Sequence, residues 1–377
     1  MTPSVLRWAI EQSGYSNEDL AHAVGVDVAA LEEWKSDDGN SRPTLTYARK
    51  LASKLHRPFA ALLLPAPPEG RPLSVEFRHP AGDQRQLNPD ERRYLRRAAR
   101  LQEILSWLAG QMEIAQPRTP SASLHDDPAS VAEAARDLLG VATADQKGWP
   151  TASAAFDEWR AALERSGHLV FLFSMGKGSV QGFSLWEDVA PLVAINTAWN
   201  ESSRIFTLLH EMGHLITRTS SACLESVRTS SRTDPVERWC ERFAASVLMP
   251  GKDVESTLRQ YGLRSGGQLT SLTIAKNVAN LYKVSVRAAV IRLIELRAAT
   301  WALYDEIPPI SDMKPPAGGG TGRSRAQIRE DQFGDRAASL LAAAVERDVL
   351  NRSQAVELLD IPDVAFDDLA QSGRHER

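Results

Sequence analysis

The stretch His210-Glu211-Met212-Gly213-His214 has the spacing H-E-x-x-H. On a helix, two histidines four residues apart lie one turn apart on the same face, so their imidazoles can grip a single ion. The glutamate beside the first histidine can then take a proton from a water at that ion. Chemistry of this kind hydrolyses a peptide bond or something close to it. Two histidines on a helix can also be ordinary polar residues near a surface, and a five-residue motif does occur by chance. The context argues against chance. The chain has only eight histidines, and this pair is flanked by Phe206, Leu208, Leu209, Leu215 and Ile216. The run from Phe206 to Thr217 predicts a largely buried helix, in which imidazoles need partners.

A catalytic zinc ion takes three protein ligands and leaves one position open. Residues 237–250 predict a second helix, with Trp239, Phe243 and Val247 spaced by four and a stop at Met249-Pro250-Gly251. Glu237 and Glu241 fall one turn apart on one face. One carboxylate can bind the ion while the other accepts an N–H from a ligating histidine and fixes its tautomer. The expectation is Glu237 on the metal and Glu241 behind it. The competing reading is a solvated face shared with Arg238 and Arg242. Other ligand candidates are weaker. His168 opens an apolar strand, and lone cysteines such as Cys223 and Cys240 more often behave as small buried hydrophobes. For the group that steadies the oxyanion, Tyr261, Tyr282 and the arginines stay open.

Taken together, these residues resemble the ImmA/IrrE metallopeptidases. The resemblance is carried by Phe206 through Leu215, by Glu237, and by Phe243-Ala244-Ala245 through Leu248-Met249-Pro250. Gly182-Phe183-Ser184-Leu185 and Pro191 to Asn196 look like the family's strands before the active-site helix. It spans roughly 125–300 and extends to the form with a fused amino-terminal XRE-type helix-turn-helix domain. The marks of that form are Pro43-Thr44-Leu45, Leu62 through Pro68, and Phe77-Arg78. The resemblance implies a thermolysin-like (gluzincin-like) zinc site, with manganese as the alternative ion. It also implies a substrate that is itself a helix-turn-helix repressor, or a partner regulator in a stress, mobile-element or toxin–antitoxin module. Glu241 departs from the Asn or Asp usual in the family, and its longer reach changes the geometry behind the metal.

The elements that must position these residues follow from periodicity. Residues 1–65 read as five short helices in a helix-turn-helix pattern, with Asn17 capping the second and Val28 to Trp34 forming the third, which would enter a major groove. That third segment carries Asp27, Glu32 and Glu33, with Asp37 and Asp38 just after it. Affinity for DNA rests largely on neutralising phosphates, and this face does the opposite. DNA therefore stays a weakly supported partner, and protein docking is the alternative. Residues 66–124 read as a connector followed by a basic helix at 90–112 bearing Arg92, Arg93, Arg96, Arg97 and Arg100. A helical stretch at 128–166 precedes three strands, at 169–173, 182–186 and 192–196. The third strand could receive an extended peptide at its edge. Two helices at 269–300 echo a second helix-turn-helix and read as packing. A Gly/Pro-rich linker covers 307–324, and a small helical unit, with docking as its default role, covers 325–377.

The predicted fold class is α+β and mostly helical. It comprises a helix-turn-helix bundle at 1–65, a zincin-like metallopeptidase domain with a small sheet at 125–306, and the helical carboxyl-terminal unit. Composition sets outer bounds. The chain has 377 residues, enough for two or three domains, and a net charge of −4, which gives no bulk drive toward nucleic acid. Two cysteines cannot build a disulfide framework. Met1 to Gln12 carries Arg7 and Glu11 and no apolar core, so no signal peptide is expected, nor a membrane span. The expectation is a cytoplasmic protein. The rival to a peptidase is a non-catalytic regulatory or antitoxin protein that binds a partner protein or DNA through its helical domains.

Overall fold

A computed structural model describes residues 1–39, 41–68, 87–176, 178–219, 221–223 (backbone only), 234–264, 266–308, 325–361, 363 and 366. The expectations placed on Phe77-Arg78, on most of the 66–89 connector, on the 309–324 part of the linker and on the Cys223 side chain lie outside the described residues. Contacts divide the chain into two units, the first holding residues 1–68 and 87–99 and the second everything described from Arg100 onward.

In the first unit, α1 (Pro3–Ser13), α2 (Asn17–Val24), α3 (Val28–Lys35) and α4 (Leu45–Lys54) are followed by a 3-10 turn at Phe59–Leu63. Leu6, Leu20, Leu31, Leu51, Leu55 and Leu62 are fully buried at their centre. Ser16 caps α2, its Oγ accepting from the Asp19 amide at 3.0 Å, so the expected Asn17 cap is corrected by one residue. The basic helix is α5 (Pro89–Gln111). Its stripe is partly spent inside the unit. Arg92 donates to Glu11 O at 3.1 Å and Arg96 donates to Gln12 O, both near the end of α1. Guanidinium groups are favoured there, because the helix dipole leaves carbonyls unsatisfied at that end. Burial, then the neighbouring Arg57 and Arg92, pulls Arg96 down to about 10.

The second unit is built around a four-stranded sheet and the two helices that carry the H-E-x-x-H motif and Glu237. The stretch expected as one helical region resolves into α6 (Pro128–Leu139), α7 (Thr143–Gly148) and α8 (Ala152–Arg165), with Gly140 in a left-handed conformation ending the first. Strands β1 (Leu169–Phe173), β2 (Gly182–Leu185) and β3 (Leu192–Asn196) follow, and β4 (Ser221–Cys223) was not anticipated. The order is β1-β3-β2-β4. β3 runs parallel to β1, and β2 runs antiparallel to both β3 and β4. Both edges of β3 are therefore occupied and all five of its residues are buried. This overturns the expectation that an extended peptide could add to the third strand. The continuous run Leu192-Val193-Ala194-Ile195 is what a strand covered on both faces looks like.

Between β3 and β4 lies α9 (Glu201–Ile216), capped by Asn200, whose side chain accepts from the Ser203 amide at 2.9 Å. Then α10 (Pro235–Leu248) starts on an Asp234 cap and packs against both α9 and α6. Met249-Pro250-Gly251 does end α10, yet Pro250 at once caps α11 (Gly251–Gln260). α12 (Leu272–Tyr282), α13 (Val286–Glu295) and α14 (Trp301–Asp305) complete the core, as the packing reading of that segment expected.

The carboxyl-terminal helices are α15 (Arg325–Glu346) and α16 (Arg352–Leu359). α15 lies against β1 and α8. Phe333 meets Phe171 edge-on at 5.4 Å, while Arg160 donates to Asp331 O at 2.8 Å and to Val170 O at 2.9 Å. Gly334 breaks α15 with φ 75° and ψ 170°, backbone space essentially restricted to glycine. A Cβ there would fall 1.8 Å from Glu164 Oε1. Among the described residues, no helix is long and apolar enough to cross a membrane.

Candidate metal centre

The sequence of α9 places one face against the core and aims its last two turns at α10. From Thr207 to Ile216 every residue is buried, including His210, Glu211 and His214. Two glycines make the close approaches. At Gly213 a Cβ would sit 3.2 Å from Cα, Cβ and Sγ of Cys240, so the absence of a side chain brings α10 up to the motif. At Gly182, the first residue of β2, a Cβ would meet the Thr207 methyl at 2.6 Å, with Glu211 Cγ at 3.5 Å. Glu211 is thus walled by the sheet.

This packing sets Glu237, in the first turn of α10, opposite both histidines. Glu237 Oε2 lies 3.2 Å from His210 Nε2, Glu237 Oε1 lies 3.3 Å from His214 Nε2, and the two Nε2 atoms are 3.2 Å apart. Among the described residues these form the one group of three or more metal-ligating side chains brought together. Ligands at about 2.0–2.1 Å around a tetrahedral ion are separated by about 3.3–3.4 Å, so the donor set fits zinc without rearrangement. Its chemistry points the same way. Two imidazole nitrogens and a carboxylate converging on one point need a proton or a metal cation between them. Burial works against charge on Glu237, but the hydrogen bonds and charge of His210 and His214 outweigh it and hold the carboxyl well below its usual range. His210 is raised: burial opposes the proton, and Glu237, Glu211 and Glu241 together outweigh it.

Glu241 sits half-buried on α10, one turn beyond Glu237, and acts on His210 through its charge. At His214 the partner of Nδ1 is a residue the sequence did not single out. Thr219 Oγ1 lies 3.0 Å from that nitrogen. The signal for it was faint, a threonine three residues beyond the last residue of α9. Phe206 stacks on the His210 ring with centroids 6.3 Å apart.

The weaker candidates fall elsewhere. His168 is fully buried between Ser166, at 2.8 Å from Nδ1, and Thr119, at 2.9 Å from Nε2, and burial pushes it down to about 4. Cys240 abuts the centre, but burial first, and then the charges of Glu237, Glu211 and Glu241, drive its thiol pKa well up, so it stays a neutral packing group. Tyr282 leaves the oxyanion candidates because its hydroxyl donates to Asp253 Oδ2 at 2.5 Å. Tyr261 is exposed.

In the first unit, α3 presents Asp27, Val28, Ala29, Glu32 and Glu33 to solvent. The nearby cations are engaged within the unit. Lys35 pairs with Glu32 at 3.0 Å, and Arg7 pairs with Asp37 at 3.0 Å.

Comparison with known families gives two matches. Residues 163–293, which hold β1 to β3, α9, α10 and most of α13, match the IrrE N-terminal-like domain, a peptidase family. Residues 6–62 match a helix-turn-helix model. No curated protein matches the chain. The chain thus carries an IrrE-type peptidase domain behind a helix-turn-helix domain, the fusion presented by ImmA/IrrE peptidases with an XRE-type amino-terminal domain.

Proposed function

We propose that the protein is a zinc-dependent endopeptidase acting on a protein substrate, with His210, His214 and Glu237 holding the ion. The observation that carries this reading is the set of three 3.2–3.3 Å separations among their ligand atoms. A zinc ion bound there would supply a Lewis acid to polarise the scissile carbonyl and render a water nucleophilic. Glu211 is the general base. It lies one residue from a ligand, is fully buried, and is kept in place by Gly182 and the sheet, so it can accept the water proton and return it to the leaving amine. Phe206 against His210 limits water on one side of the centre. The substrate we favour is a helix-turn-helix repressor or partner regulator of a stress, mobile-element or toxin–antitoxin module, as the resemblance implies.

The decisive experiment compares tagged wild type with Glu211→Gln, each recovered from its native cells, with bound proteins identified by mass spectrometry. The expected outcome is a partner held intact by the variant and cut by the wild type, with stoichiometric zinc in both and cleavage at least 1000-fold slower in the variant. Undiminished cleavage by Glu211→Gln would overturn the mechanism.

A second reading, a regulatory protein that docks a partner without cutting it, is favoured by one observation, the acidic exposed face of α3 with its neighbouring cations already paired. A partner held intact by both forms would support it. The same face sets the expectation for DNA: a mobility-shift series at falling salt finds no specific site, and a steep salt-dependent shift would reverse that.

A further inference from the structure

The end of α9 holds a device that the motif does not describe. Three hydrogen bonds close the helix: Thr217 N to Gly213 O at 3.0 Å, Arg218 N to Leu215 O at 3.2 Å and Thr219 N to His214 O at 2.8 Å. The last two form a Schellman motif, which needs a left-handed residue in the position usually filled by glycine. Here that residue is Arg218, with φ +59°. Its side chain offers a reason for the choice, since the guanidinium stacks on the Trp186 ring at 3.6 Å from the centroid. The turn reverses the chain so that Thr219 comes back over the histidine five residues before it.

The hydroxyl roles follow from the reading of His214 as a metal ligand. Thr219 Oγ1 lies 3.0 Å from His214 Nδ1, 3.2 Å from His214 O and 3.0 Å from Thr217 Oγ1. Thr217 has its own acceptors in Gly213 O and His214 O. Binding an ion through Nε2 leaves the His214 proton on Nδ1, so the Thr219 lone pair faces Nδ1 and its own proton goes to the His214 carbonyl. His214 is then the Nδ1–H tautomer, and its Nε2 lone pair points at His210 Nε2 and Glu237.

We propose that Thr219 is a positioning residue for the metal centre, its hydroxyl accepting the Nδ1 proton of His214 from the left-handed turn at Arg218. This rests on His214 being a metal ligand. A neutral hydroxyl in place of a carboxylate fixes the tautomer while leaving the imidazole less basic, so the site binds its ion less tightly than one backed by an acid.

The test uses full-length apoprotein titrated with Co²⁺ and followed by its visible d–d bands, with Zn²⁺ competition giving affinities. Thr219→Val is expected to weaken metal binding by about 10- to 100-fold and to change the band shape. Thr219→Ser should bind within about threefold of wild type, and Arg218→Gly, which keeps the turn, should bind as wild type. Wild-type affinity in Thr219→Val, alongside its loss in Glu237→Ala, would overturn the proposal and leave the metal site standing. Equal binding by wild type and Glu237→Ala, or none by either, would overturn both. Should Thr219→Val fail to fold, long-range ¹H–¹⁵N correlation on the wild type still decides: an Nδ1–H His214 supports the proposal and an Nε2–H His214 ends it.

Discussion

Two polar clusters sit in the second unit, and they differ in how donors and acceptors balance. In one, Lys147 pairs with Asp253 at 2.5 Å and donates to Thr257 at 3.1 Å, while Tyr282 donates to Asp253. Each acceptor there meets a donor. Burial opposes charge on Asp253, but the hydrogen bonds from Lys147 and Tyr282 outweigh it and lower its pKa; burial, then Asp253, raises that of Tyr282. That cluster is closed and ties α7, α11 and α12 together. In the other, His210, His214 and Glu237 present three lone-pair donors to one point. The difference teaches what separates a tie from a candidate site: Lys147 brings a fixed cation to Asp253, whereas Glu237 faces two imidazoles, each able to turn a nitrogen lone pair toward the same point as the carboxylate.

The largest expected effect breaks that contrast directly. Glu237→Ala should lower zinc affinity by at least about 100-fold, since it removes one of the three proposed ligands, and should leave the fold intact by circular dichroism. Asp253→Ala should do the reverse, keeping stoichiometric zinc while lowering the melting temperature. Its cost is on the order of 1–3 kcal/mol, because it leaves the buried Tyr282 hydroxyl and the Lys147 ammonium short of a partner. Zinc retained by Glu237→Ala would move the third ligand elsewhere. Zinc lost from Asp253→Ala would erase the distinction between the clusters.

A smaller effect sharpens how the open cluster is assembled. Gly213→Ala adds a methyl 3.2 Å from three atoms of Cys240, so α10 must retreat by a few tenths of an ångström and carry Glu237 with it. Overpacking of this size costs about 1–3 kcal/mol. We expect roughly tenfold weaker zinc binding in Gly213→Ala, with part of it recovered in Gly213→Ala/Cys240→Gly, where the second change removes two of the three atoms in the way. Because the residues touch, the two changes should be non-additive. Additive losses measured by zinc competition would mean that the helix crossing does not set the position of Glu237.

The motif, its helix and the face of Glu237 were legible because chemistry and periodicity coincide in 206–217 and 237–250. β1 and β3 were legible within a residue for a similar reason, being apolar runs bounded by turn residues. Three features were not, each for a physical reason. β4 is three residues long and, among the described residues, pairs only with β2, so its sequence holds no pattern of its own. α11 follows a Pro-Gly pair that reads as a stop, and Pro250 at its N-cap position makes no side-chain cap that would signal a start. Thr219 reaches His214 only through the positive φ of Arg218, and arginine gives no cue to a left-handed turn.

The smallest net effect in the wild type comes from a pair of buried titratable groups away from the candidate metal centre. Glu164 and His168 flank the turn between α8 and β1. Burial raises Glu164 from 4.5 to about 7 despite Arg160, and burial lowers His168 from 6.5 to about 4. A carboxyl with a raised folded pKa contributes stability that is present at low pH and lost as pH rises from about 4.5 through about 7. A histidine with a depressed folded pKa contributes stability that is present above about 6.5 and lost as pH falls toward about 4. The two slopes oppose one another over nearly the same window, each amounting to about 3 kcal/mol. Wild-type stability contributed by this region should therefore be nearly flat between pH 5 and pH 7, and single substitutions should expose the opposing halves. Glu164→Gln leaves the histidine in control, so the protein should melt earlier as pH falls. His168→Asn leaves the carboxyl in control, so it should melt later as pH falls. Glu164 also accepts from the Asp335 amide at 3.2 Å, beside Gly334, so hydrogen exchange in α15 should follow the same split. Parallel pH profiles for the two variants would show that these groups are not the counterweights their burial implies.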